Sequence, residues 1–160
     1  MSHARSSWEL RLEELGYILP VAPPPAAIYL PFMRTGQQLW VAGQIAVREG
    51  ELIHSGRVGV EVSLDEARVC AEQCALNLLA QLKLAMGTLD ALNRVVKLNV
   101  FVASSVDFTS QHLVANAASE LFGAVFGELG THARSAVGVA SLPLNSPVEI
   151  DAVFEVRDQS

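Results

Sequence analysis

Between Ser63 and Gly87 the chain carries a long run whose apolar positions, Ala67, Cys70, Cys74, Leu78 and Leu82, recur every three or four residues. That spacing lines side chains along one stripe of a helix, so the segment predicts an amphipathic helix that must be packed against something. Its start is marked by Ser63-Leu64-Asp65-Glu66, an S-x-x-E capping box in which the serine hydroxyl accepts from a free first-turn amide and the glutamate reaches back. Gly87 supplies the stop. Two later segments offer the partner surface. From Val95 to Val102, Val96, Leu98, Val100 and Val102 alternate with Lys97 and Asn99, and Val148, Ile150, Ala152, Phe154 and Val156 form a stripe opposite Glu149, Asp151 and Glu155. Period-two alternation of this kind marks half-buried strands.

The remaining segments extend the pattern. Ile28 to Met33, a polar turn from Arg34 to Gln38, and Leu39 to Ala42 predict a hairpin, and a third short strand is expected near Val58 to Val62. Asp107 is the expected cap of a second helix through Leu113, Ala117, Leu121, Val125 and Phe126, ending near Gly127 or Gly130. Ser135 to Ala140 predicts another strand. The order is βββαβαββ, an α+β sheet with two helices on a single face. The other face is left without a helical cover, which predicts self-association.

Ahead of this core, Ser6-Ser7-Trp8-Glu9 is a second capping box and Gly16 a helix stop, so a short N-terminal helix is expected. Four prolines between Pro20 and Pro25 then predict an extended connector. Too few residues precede it to bury a core of their own, so the helix is expected to dock on the main body or on a neighbouring subunit. The chain is one domain over 1–160: a helix and Pro-rich extension over 1–24 and a core over 25–157.

Composition narrows the function. The 160 residues are 51% hydrophobic and 18% charged, with a net charge of −6 and 6% aromatic residues, which offers little to grip a phosphate backbone or stack bases. Nucleic acid is not an expected partner. No apolar run reaches the roughly 18 residues of a membrane span, and the charges scattered through Met1 to Leu15 do not suit a signal peptide. A soluble, cytoplasmic protein is expected. Cys70 and Cys74 stand four apart in a helical pattern, neither a C-x-x-C redox pair nor a zinc ligand set. His3, His54, His112 and His132 have no metal-ligand spacing and are assigned surface or structural roles. Phosphate-binding glycine loops, H-E-x-x-H and G-x-S-x-G are absent.

Two charged residues stand out. Arg134 lies where the polar stretch Gly127 to Thr131 gives way to an apolar strand, and a guanidinium there offers two parallel donors that match the carboxylate of a small organic acid. Glu149 is the first charge of an otherwise apolar strand and lies off its core stripe. Ser135, next to Arg134, has no base near it in sequence, so little supports a nucleophile there.

The sequence resembles the reactive intermediate deaminases, the Rid family, also called the YjgF or L-PSP endoribonuclease-like family. The resemblance is carried by Pro25-Ala26-Ala27-Ile28 leading to Leu39-Trp40-Val41-Ala42-Gly43-Gln44, and by Asn77-Leu78-Leu79 through Val95-Val96-Lys97-Leu98. It is carried further by Asn116, by His132-Ala133-Arg134-Ser135-Ala136-Val137, and by Leu142-Pro143 and Val148-Glu149-Ile150. It implies a chorismate-mutase-like fold assembled as a homotrimer around a central β-barrel, with three clefts between subunits. In the deaminating members a 2-imino acid or its enamine tautomer becomes a 2-keto acid and ammonia, and no metal or organic cofactor is implied. Arg134 would clamp the substrate carboxylate and Glu149 would orient or activate water. Asn116 would support the cleft, and Phe32, Ala42, Gly43, Ser135 and Ala136 would line it, with backbone groups at Ser135 and Ala136 near the imine nitrogen.

The sequence also departs from the family pattern. Phe32 stands where deaminating members commonly have tyrosine, Ala42 where they have serine, Ala136 where a cysteine often follows A-R-S, and His132 where proline is usual. Three polar groups are thereby missing from the cleft, so the resemblance implies a divergent branch. Besides imine hydrolysis it leaves open a trimer that binds a small carboxylate without turnover; a ribonuclease or translation-inhibitor role is disfavoured by the charge.

Overall fold

The computed structural model describes residues 6–158; His3 lies outside them. Helix α1 (Ser7–Glu14) leads through the proline-rich segment into β1 (Phe32–Thr35) and β2 (Gln38–Ile45). A short hairpin, β3 (Val47–Arg48) and β4 (Glu51–Leu52), precedes α2 (Leu64–Met86), β5 (Leu92–Ala103) and α3 (Gln111–Phe126). The chain ends in β6 (Ala133–Val139) and β7 (Val148–Val156). The five long strands form one mixed sheet in the order β1-β2-β7-β5-β6. Neighbours are antiparallel except β5 and β6, which run parallel because α3 crosses between them.

Both long helices pack on the same side of the sheet, α2 over β2 and β7 and α3 over β5 and β6. Val148, Ile150, Ala152, Phe154 and Val156 point into that core as their alternation predicts. The Ser63 box forms in full, with Ser63 accepting from the Glu66 amide and Glu66 accepting from the Ser63 amide. The α2 helix stops at Gly87, whose φ of 78° lies in the left-handed region that glycine occupies without a Cβ penalty. On the opposite side of the sheet Met33, Trp40 and Val137 are exposed.

The N-terminal helix docks on the main body. Its capping box is present, the Ser7 amide and hydroxyl donate to the Asp90 carboxylate, Glu9 pairs with Lys83, and Trp8 meets the edge of Phe126 at 5.3 Å. The proline-rich segment takes no regular structure and is tied to α2 by a 2.7 Å bond from Gln81 Nε2 to the Pro23 carbonyl.

Three local expectations are corrected. Val58 and Val62 do not build a third strand: the amides of Val60, Glu61 and Val62 all turn back to the Arg57 carbonyl, so the two valines are buried at the ends of a tight turn and share an isolated bridge. Asp107 does not cap α3. The helix begins at Gln111 after Ser110, whose side chain makes no capping bond, and Gln111 Nε2 donates to the Phe108 carbonyl instead. On β5 the residue buried ahead of Leu98 is Val95, not Val96, because a bulge between Val95 and Lys97 breaks the alternation.

Cys70 and Cys74 are buried and unpaired on α2, and burial pushes the Cys70 thiol up to about 12 and the Cys74 thiol well above its usual value. Among the described residues no helix is long and apolar enough to cross a membrane.

Candidate functional site

The edge strand β6 presents Arg134 to α3. Arg134 pairs with Leu98 in the parallel ladder, and since laterally paired residues share a face, its side chain lies on the helix-covered side. There Nη1 donates to Asn116 Oδ1 at 3.0 Å and to Ser119 Oγ at 2.9 Å, and Nη2 donates to the His112 carbonyl at 3.3 Å. Positions 112, 116 and 119 stand four and three apart, so one face of α3 supplies all three acceptors. The same serine reaches His132, with 2.9 Å between Ser119 Oγ and Nε2, and His132 Nδ1 lies 2.6 Å from the Gly130 carbonyl. Gly130 has to be glycine, because a Cβ there would collide with the Phe122 carbonyl of α3. Burial and the Arg134 charge hold His132 below the usual imidazole range. Ser119, Gly123, Gly130, Thr131, His132 and Arg134 line a cavity of about 290 Å³.

Glu149 stands on the other face. It pairs with Phe101 on β5, three residues along from the Leu98 that faces Arg134, and with Ile45 on β2. An odd offset along a regular strand reverses the side, so Arg134 and Glu149 of one chain point away from each other. The Glu149 carboxylate occupies the space over Gly43, where any Cβ would strike it. Gly43 is available because the β2 and β7 register slips between Val41 and Gln44, a bulge that Ala42 and Gly43 fill. Burial first, then the negative charge of Asp151, raise the Glu149 carboxyl above its ordinary value. Asp151 is itself raised by burial, opposed by a 2.8 Å bond from Asn99 Nδ2 and by the Lys97 charge.

The residues singled out in the sequence thus fall into separate groups. Asn116 joins Arg134, and Ala42 and Gly43 lie at the Glu149 strand pair. Ala136 shares the Arg134 face and packs against the core, whereas Ser135 faces the open side, its Oγ accepting from Lys97 Nζ at 3.4 Å. Phe32 joins neither group: on β1 it pairs with Val41 of β2, and it lines a separate cavity with Leu39, Ala85 and Met86. Sequence reasoning missed Ser119, although its i, i+3 spacing from Asn116 was a usable signal. It also left His132 as a surface or structural residue, although i, i+2 spacing along an extended chain puts it on the Arg134 side. Among the described residues no group of three or more His, Cys, Asp or Glu side chains could hold a metal ion.

The family model described as endoribonuclease L-PSP matches residues 20–156. Protein TCP17 of Trypanosoma cruzi is 45% identical over 148 residues, covering 92% of each chain. A 2-iminobutanoate/2-iminopropanoate deaminase of Dermatophagoides farinae is 32% identical over 140 residues, covering 86% of this chain and 93% of its own. The crystal structure of Atu1372 from Agrobacterium tumefaciens superposes with a TM-score of 0.88 at 50% identity, over 94% of this chain and 92% of that one.

Proposed function

The chain belongs to the Rid family, which includes the YjgF and L-PSP endoribonuclease-like proteins, and on that premise we propose that it hydrolyses 2-imino acids to 2-keto acids and ammonia. The observation that carries the reading is the state of Arg134. With both Nη1 protons and one Nη2 proton taken up by α3, the guanidinium keeps Nε–H and one Nη2–H, the pair of donors that fits a carboxylate.

The second requirement is a base for water. A carboxyl raised by burial, as Glu149 is, sits closer to the pH at which it must take and return a proton. Because Glu149 and Arg134 of one chain lie on opposite faces, the working cleft joins Arg134 of one copy to Glu149 of the next in a homotrimer. The step balances without a cofactor. Glu149 takes a proton from water as the oxygen attacks the C=N carbon and the π electrons move to nitrogen, and returns it to that nitrogen; it then relays the carbinolamine hydroxyl proton to the nitrogen as the C–N bond breaks, releasing ammonia and leaving a C=O. Ala42, Gly43, Ser135 and Ala136 contribute cleft wall and backbone groups and Asn116 fixes the arginine, while Phe32, in its separate cavity, stands apart. The apolar side chains at Ala42 and Ala136 favour one alternative, a trimer that binds a 2-keto acid without turnover.

The test generates 2-imino acids with an amino-acid oxidase and traps unreacted imine with semicarbazide. Wild type is expected to suppress the trapped adduct, and Arg134→Ala and Glu149→Ala to match the no-protein control. Mixing the two inactive variants after dissociation is expected to restore about a quarter of wild-type activity, the share of clefts that random assortment leaves intact. No turnover by wild type, with saturable binding of pyruvate, selects the alternative.

A further inference from the structure

The contacts around Arg134 admit one arrangement of protons. The Gly130 carbonyl can only accept, so His132 Nδ1, 2.6 Å away, carries the ring proton. The neutral ring then has a lone pair at Nε2, and the Ser119 hydroxyl, 2.9 Å away, donates to it. That leaves Ser119 Oγ as an acceptor, the part it plays toward Arg134 Nη1 at 2.9 Å. Each link is built in: Gly130 lacks the Cβ that would hold its carbonyl off, and α3 places Ser119 one turn beyond Asn116.

A second proton on the ring would reverse the middle link. Nε2 would become a donor, and one serine oxygen would then accept from two cations. The charged group facing the ring is Arg134, on β6; α3 presents only Ser119 and the Phe122 ring at 6.1 Å, and the Gly127–Gly130 turn presents a carbonyl. The environment therefore works against the charged imidazole.

We propose that His132, acting through Ser119, is a positioning residue for Arg134: the neutral ring fixes the guanidinium with its free donor pair facing outward, and protonation of the ring loosens that anchor. This rests on the reading of Arg134 as the carboxylate anchor, and it adds a pH limit to the anchor from a position where the family pattern has proline.

Side-chain NMR of the full-length ¹⁵N-labelled protein tests it without a ligand. At about pH 7.5 the His132 ring is expected as the Nδ1–H tautomer, and the Arg134 Nη protons as resolved, slowly rotating signals that average out by about pH 4.5. His132→Gln, whose amide oxygen accepts from Ser119 but does not titrate, is expected to keep those signals through the acid range; Ser119→Ala loses them throughout. An Nε2–H tautomer, or one pH profile shared by wild type and His132→Gln, overturns the proposal. Pyruvate titrations supply the functional readout. The dissociation constant of wild type is expected to rise at least about tenfold on acidification and that of His132→Gln less than about threefold, the glutamine variant subtracting the contribution of Glu149. Equal pH dependence in both also overturns it. If the Arg134 signals behave as expected but pyruvate binds neither protein, the carboxylate reading fails while the positioning role stands.

Discussion

At Arg134, three acceptors on one face of α3 take up guanidinium protons. At Glu149, on the reverse of the same sheet, burial and the Asp151 charge both work against the ionised form. The cation is locked in one orientation in its stable state, whereas the acid is held away from its stable state. An anchor has to be rigid and need never change protonation; a group that exchanges protons with water has to stand near its midpoint. The two groups have opposite electrostatic settings, and within one chain the sheet between them keeps them from quenching each other as an ion pair.

That contrast can be broken from either side. The largest effect is expected for Arg134→Lys, which keeps the charge but cannot satisfy Asn116 and Ser119 while also offering a parallel pair. A loss of about 10²–10³-fold in kcat/KM, roughly 3–4 kcal/mol, is expected in steady-state imine hydrolysis, with Tm little changed. Glu149→Gln is expected to lower kcat by about 10²-fold with KM nearly constant, since an amide keeps the shape and loses the proton transfer. Gly43→Ala sharpens the comparison: its methyl would strike the Glu149 carboxylate, so kcat is expected to fall about tenfold while pyruvate affinity, which the proposed reading assigns to Arg134, is expected to be retained. The smallest effect is on stability. With its carboxyl raised in the folded chain, Glu149 stabilises the fold fully below the ordinary glutamate value, and that contribution is lost as pH rises through the folded value. In thermal melts Glu149→Gln is therefore expected to melt above wild type at about pH 7.5 and with it at about pH 4.

Local chemistry was legible from sequence where one stretch of chain decides the outcome. Ser6 with Glu9 and Ser63 with Glu66 announce their helices because donors and acceptors lie within a single turn. The β7 stripe was legible because the strand is regular along its length. Legibility stopped where another element intervenes. The bulge at Val95 to Lys97 arises in pairing with β7, and no local pattern announces it. Val58 and Val62 have the composition of a strand but close a turn around the Arg57 carbonyl. For the site, Arg134, Asn116 and Glu149 could be marked by type and motif. That two of them share a face and the third does not depends on a parallel crossover, which only the assembled sheet fixes. Ser119 shares a helix face with Asn116 by spacing, but its part becomes visible only when a strand brings an arginine and a histidine against it.

The placement of Cys70 and Cys74 has a consequence for handling the molecule. They are the only two cysteines in the chain, and both are enclosed beneath α2, Cys70 with its thiol pushed up to about 12 and Cys74 with its thiol well above the ordinary range. Thiolate, the form that electrophiles and peroxides attack, is scarce at neutral pH in such a setting. In the folded protein the two thiols are thereby shielded from alkylating agents and mild oxidants, and a maleimide label on either cysteine reports unfolding.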